Sequence, residues 1–220
     1  MDGPSRRCAV AGLLTLPLLA AGRAVAARPI DGAWPAGAQL GPARPFSLEA
    51  LKAQALALSR APYRPPAAPP AALAHAIDYD AFGAISYKPS ATLWADRPGV
   101  GVRFFPLGRY APTPVAISVV SGGAARPVLY SPGLFDAPVG SPLKALGRAG
   151  GFAGFKVMNA DARTDWIAYL GASYFRSADP FNQYGLSARG IAIDTVGAAR
   201  EEFPSFTAFW LEQAPEGLVV

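Results

Sequence analysis

Tyrosine, phenylalanine, tryptophan, arginine and glutamate are concentrated between Gly171 and Glu212, where the chain reads GASYFRSADPFNQYGLSARGIAIDTVGAAREEFPSFTAFWLE. That mixture suits a sugar. Aromatic rings cover the C–H faces of a pyranose, while guanidinium groups and carboxylates hydrogen-bond its hydroxyls. In a strand over Ser173–Arg176, Tyr174 and Arg176 point to one face and Phe175 to the other. Trp210 and Glu212 likewise share a face opposite Phe209 and Leu211. An arginine beside a tyrosine favours a polar groove on that side. The competing reading makes the aromatics sandwich core and the arginines salt-bridge partners of Asp194 or Glu201, since large apolar residues are mostly buried.

Elimination narrows the chemistry. His75 is the sole histidine and lies beside an Ala/Pro-rich segment with no nucleophile elbow, so a Ser-His-Asp hydrolase has no support. No Gly-rich loop opens a helix, which removes nucleotide binding. Metal sites built on His and Cys lack their ligands, and no cofactor is expected. Carboxylates remain. Glycoside hydrolysis needs two, one protonated as acid and one ionised as base or nucleophile. Asp78 and Asp80 alternate around Tyr79 and would share a side of an extended segment, although capping a turn is the commoner use of Asp. Glu201 and Glu202 read as a solvated loop. No catalytic pair can be assigned.

The first 26 residues read as an export leader. Arg6-Arg7 precede an apolar run from Ala9 to Ala21, and Ala24-Val25-Ala26 has the small-x-small form that signal peptidase cleaves. Ser5-Arg6-Arg7 is twin-arginine-like, and either export route ends in the periplasm. Removing residues 1–26 takes three arginines, one aspartate and Cys8, lowering the formal net charge from +5 to +3. So slight a charge, with no basic run, excludes nucleic acid as a partner. Without cysteine the exported chain rests on its core alone.

The elements that must position the candidate residues are mostly strands. A composition with 23 Gly and 23 Pro disfavours long helices. Residues 27–45 form a flexible lead-in. Ser47 is an N-cap for one amphipathic helix carrying Leu48, Leu51, Ala55 and Leu58 and ending near Ser59. Pro62–Pro70 lies extended, pinned by Tyr63, and a short helical turn follows at 71–76. From residue 84 onward strands are expected at 84–87, 100–105, 115–120, 128–130, 153–158, 166–170, 173–176, 188–194 and 205–212, separated by Gly/Pro/Asn/Asp turns. That pattern means a mainly β sandwich or barrel.

Many short motifs recur in fixed order: Phe46-Ser47, Pro62-Tyr63, Ile77-Asp78-Tyr79-Asp80, Leu93-Trp94, Phe104-Phe105, Tyr130-Ser131-Pro132, Leu134-Phe135-Asp136, Gly151 to Phe155, Leu170 to Arg176, Tyr184 to Gly190, Ile193-Asp194-Thr195, Glu201 to Pro204 and Phe209 to Glu212. In these the chain resembles the periplasmic glucan biosynthesis proteins of the G/D type, and the twin-arginine-like leader favours the D type. The resemblance implies an antiparallel β-sandwich of galactose-mutarotase-like type with a groove across one sheet. Residues 46–220 would be its N-terminal part, lacking the C-terminal remainder and the Ig-like domain, with the last strand left as an unpaired edge.

By the same resemblance Tyr174, Arg176, Tyr184, Ser187 and Arg189, with Trp210 and Glu212, contact substrate. The implied partners are osmoregulated β-1,2-glucan, the export machinery and a membrane glucan synthase complex. The implied activity is inverting β-1,2-glucan hydrolysis, with the catalytic half missing. The rival expectations are a non-catalytic glucan-binding or assembly protein, and an inactive fragment of a longer gene. Lys156, where the family has arginine, together with Met158 and the loop Ala137–Gly140, departs from the family pattern.

Overall fold

The computed structural model describes residues 39–171, 173–179, 181 and 183–220; the expected leader, 1–26, and most of the expected lead-in, 27–45, lie outside them. Strands β1 (Gln39–Leu40) and β2 (Arg44–Pro45) precede three helices, α1 (Leu48–Ser59), α2 (Ala71–His75) and α3 (Tyr79–Gly83). Then come β3 (Ser86–Tyr87), β4 (Val102–Pro106), β5 (Ala116–Ser121), β6 (Ala124–Leu129), β7 (Phe135–Asp136) and α4 (Leu143–Leu146). The chain continues through β8 (Phe152–Met158), β9 (Asp165–Leu170), β10 (Tyr174–Ala178), β11 (Tyr184–Arg189), β12 (Ala208–Ala214) and β13 (Gly217–Val219).

The result is mainly β and sandwich-like. One five-stranded sheet runs β11-β10-β9-β8-β4 and is antiparallel throughout. A six-stranded sheet runs β1-β6-β5-β12-β13, with β2 also on β6, and β3 pairs with β7. Alternation decides which face each strand buries. Cross-strand partners Phe104, Phe155, Tyr169 and Phe175 form an aromatic row on the inner face of the five-stranded sheet. Against it stand Phe209 and Leu211 of β12, in register with Ile117 and Val119 of β5. Phe155 meets Phe209 edge-on at 5.0 Å and stacks on Tyr169 at 4.9 Å. Burying each such ring is worth roughly 1.5–3 kcal/mol.

The turn between β5 and β6 shows why the sequence folds so locally. Gly122 and Gly123 have φ of 56° and 75°, the left-handed pair that a two-residue hairpin with native twist demands. The one parallel pair among the described residues, β5 with β12, departs from the all-antiparallel expectation. Its cause is the connection: the chain builds four of the five strands of the other sheet, β8 to β11, between them, ample length for a return in the same direction. β12 is also no edge. β13, not foreseen in the sequence, pairs with it through Glu212↔Val219 to Ala214↔Gly217.

Other boundaries moved for identifiable reasons. Asp78, itself extended, caps α3 by accepting from the Ala81 amide at 3.0 Å, so Tyr79 and Asp80 are helical and the two carboxylates do not alternate along a strand. That helix shortens the expected strand at 84–87 to β3. Tyr63 is 68% exposed and pins nothing; Pro69 is the buried residue of the extended segment. The strand expected over 188–194 lies earlier, as β11 over Tyr184–Arg189; beyond it Ile193 makes an isolated bridge to Glu202 and Asp194 adopts φ of 54°, outside the extended region.

Helix α1 forms where its periodicity and Ser47 place it, with the Ala50 amide donating to Ser47 Oγ at 3.1 Å. Yet none of its residues is buried, and Leu48, Leu56 and Leu58 are exposed. Its stability within this chain is therefore local. Ser47→Ala is expected to lower amide-exchange protection in α1 by about 1 kcal/mol while leaving the global unfolding midpoint unchanged. A global shift would show α1 to be packed.

Candidate functional site

The outer face of the five-stranded sheet carries the polar residues that its inner face rejects. β10 and β11 pair as Tyr174↔Arg189, Arg176↔Ser187 and Ala178↔Tyr184, with a bulge after Ser177. Directly opposed residues share a face. The row therefore continues from Arg176 through Ala168 and Lys156 to Arg103 on the adjoining strands. Five of the seven residues expected to contact ligand thus converge: Tyr174, Arg176, Tyr184, Ser187 and Arg189.

Their contacts fix their geometry. Tyr174 OH donates to Ser187 Oγ at 2.9 Å. The Arg176 guanidinium lies 4.5 Å from the Tyr184 ring centroid, and that of Arg189 lies 4.0 Å from the Phe203 ring. Rings, not carboxylates, are therefore the arginines' partners, and among the described residues neither arginine forms an ion pair with Asp194 or Glu201. A guanidinium held over a ring, unlike one in an ion pair, does not spend its N–H donors on that contact. The loop after β11 is tied to the start of β10. Ser173, which is buried, donates from Oγ to Ile191 O at 3.0 Å, and its amide donates to Pro204 O at 2.7 Å.

Trp210 and Glu212 stand elsewhere. They alternate with the buried Phe209 and Leu211, so they occupy the outer face of the six-stranded sheet, on the far side of the core. Trp210 stacks on Phe46 at 6.0 Å, which anchors the chain entering α1. The structure does not bring these two residues to the arginine cluster.

Two residues the sequence reading did not select complete the cluster. Asp165 opens β9 beside a bulge and is only 8% exposed. It accepts from Lys156 Nζ at 3.2 Å through Oδ1 and from Tyr184 OH at 2.5 Å through Oδ2. The hairpin joining β8 to β9 creates the Lys156–Asp165 pair, and a lone carboxylate at the head of an apolar strand was the available signal. Beside it, Trp166 is held by its indole N–H donating to Gly99 O at 3.2 Å.

Partial burial, then the hydrogen bond to Asp165 and its negative charge, push the Tyr184 phenol up to about 12, against the opposing effect of Arg176. The sign follows directly. A folded value above the ordinary 10 gives a stabilising contribution that is complete below pH 10 and is lost as pH rises towards 12. Burial also raises the phenols of Tyr87, Tyr130 and Tyr169, so phenolate absorbance is expected to show several late tyrosines, and Tyr184→Phe is expected to remove one phenol's worth of the late absorbance. An unchanged titration in Tyr184→Phe would contradict the assignment.

Chemically, the face offers hydroxyls at Tyr174 and Ser187, two guanidinium planes and exposed ring edges. It suits a neutral, polyhydroxylated ligand. The family model described as periplasmic glucan biosynthesis protein, MdoG, matches residues 46–219. The chain is 44% identical over 185 residues to glucans biosynthesis protein D 2 of Ralstonia nicotianae, covering 79% of this chain and 34% of that protein. It is 42% identical over 178 residues to glucans biosynthesis protein D of Xanthomonas campestris, covering 80% and 33% respectively. With the protein D of Xanthomonas axonopodis, identity is 41% over 209 residues, 93% of this chain and 37% of the relative. The chain thus spans about a third of the length of these relatives.

Proposed function

Because this chain belongs to the MdoG family of periplasmic glucan biosynthesis proteins, we propose that it serves osmoregulated glucan synthesis by binding the β-1,2-glucan backbone. The proposed binding surface is the outer face of β10 and β11. The observation that carries this reading is the convergence of Tyr174, Arg176, Ser187 and Arg189 on that one exposed face, with both guanidinium groups laid on rings. In our reading residues 1–26 direct export to the periplasm, and the sandwich is of galactose-mutarotase-like type. Trp210 and Glu212 belong to a separate surface that a long glucan, or a synthase complex at the membrane, would reach independently.

Binding is favoured over cleavage by this stretch of chain. Hydrolysis requires two carboxylates flanking the scissile bond, about 5–9.5 Å apart and open to the sugar. The carboxylate within the cluster, Asp165, is buried and already engaged by Lys156 and Tyr184. Calorimetric titration with linear β-1,2-glucan, run beside an assay for reducing ends, tests the reading. Heat of binding without new reducing ends is expected. Release of reducing ends would establish the hydrolase alternative, and absence of binding would refute the proposal.

A further inference from the structure

We infer that Asp165 is a positioning residue of this face, holding Tyr184 and Lys156 so that the Tyr184 ring presents Arg176 to the ligand. The inference rests on the glucan-binding reading for the ligand's identity. Its geometry stands on its own.

Asp165 is the one buried carboxylate among the described residues, and both of its oxygens are engaged. Its partners come from two different strands. Lys156 lies on β8, one strand before it, and Tyr184 on β11, two strands after it. The phenol must reach across β10 to make this bond. In doing so its ring comes to lie beneath Arg176, the middle residue of β10. Strand β11 needs such a tie. Every one of its residues is exposed, and among the described residues it pairs with β10 alone. A bulge between Ser177 and Ala178 disturbs that pairing just where Tyr184 enters. The Lys156 ammonium also lies 5.6 Å from the Phe105 ring centroid, so the same carboxylate orders a cation on β8 over a ring on β4. Thus one buried charge sets the orientation of two cation–ring pairs on the outer face. Asp165 itself does not reach ligand. It acts through Tyr184.

The test is a double-mutant cycle on the full chain, with linear β-1,2-glucan as titrant and thermal unfolding as the control for fold. Asp165→Asn and Tyr184→Phe are each expected to weaken binding about tenfold, and the double variant no more than either alone. Additive losses, or full binding by both single variants, would overturn the inference. Should Asp165→Asn fail to fold, Tyr184→Phe, which removes only the exposed end of the bond, decides the matter: unweakened binding overturns it. A second readout needs no glucan. In Asp165→Asn the Tyr184 phenol, read as the difference between titrations with and without Tyr184→Phe, is expected to titrate at lower pH, because two of the influences that raise it come from Asp165. An unshifted phenol would overturn the inference even where wild-type binding is confirmed. If the wild type binds no glucan, the function falls while the phenol titration still judges the role of Asp165.

Discussion

Tyr174→Ala combined with Arg189→Ala is expected to reduce β-1,2-glucan affinity by about a hundredfold, below detection for an oligosaccharide of modest affinity. The two residues are direct cross-strand partners on the outer face, so a single sugar unit can touch both. Removing Tyr174 deletes a ring face and a hydroxyl; removing Arg189 deletes a fork of donors. The fold loses little. Tyr174 is half-buried, and the hydrogen bond it gives up is the exposed one to Ser187. Arg189 is exposed and gives up its contact with Phe203. Together these are worth about 1 kcal/mol, or a shift of about 2–4 °C in a chain of this size. Affinity lost together with a much larger drop in melting temperature would mean that the pair is structural and the groove lies elsewhere.

Phe155→Ala is expected to have the largest effect on stability. Its side chain is fully buried at the centre of the aromatic row, stacked on Tyr169 and set edge-on against Phe209. With Tyr169, which also packs on Phe209 at 5.8 Å, it joins the two sheets. Truncation removes the ring's burial and leaves a cavity that rigid strands on both sides cannot close, costing about 3–5 kcal/mol. Against a total of roughly 5–15 kcal/mol, the variant should be largely unfolded at 37 °C or melt about 10 °C lower. Phe175→Ala, at the half-buried end of the same row and 5.8 Å from Tyr169, should cost clearly less. Equal losses at both positions would show that the packing does not concentrate at Phe155.

These expectations follow from period-two patterning that the chain displays openly. The split of Tyr174 and Arg176 from Phe175 could be read from alternation alone, because strand geometry leaves a side chain no third direction. The turn at Gly122-Gly123 was equally legible, since few residues other than glycine tolerate two successive left-handed conformations. What could not be read is what depends on pairing between distant strands. The parallel return of β12 onto β5, and with it the removal of Trp210 and Glu212 to the opposite surface, is set by sheet order. Asp165 was overlooked for the same reason: its partners become neighbours only when β8, β9 and β11 are assembled. Asp78 takes the capping role that is the commoner use of aspartate, whereas Tyr63 does not pin the extended segment, whose buried residue is Pro69.

The central claim is that glucan lies across β10 and β11, and amide hydrogen exchange with and without linear β-1,2-glucan tests it most directly. The account predicts slowed exchange confined to residues 173–190 and the adjoining Pro204–Phe206 segment, with the six-stranded sheet unchanged. Protection centred instead on β12 around Trp210, or no protection anywhere at saturating glucan, would contradict it.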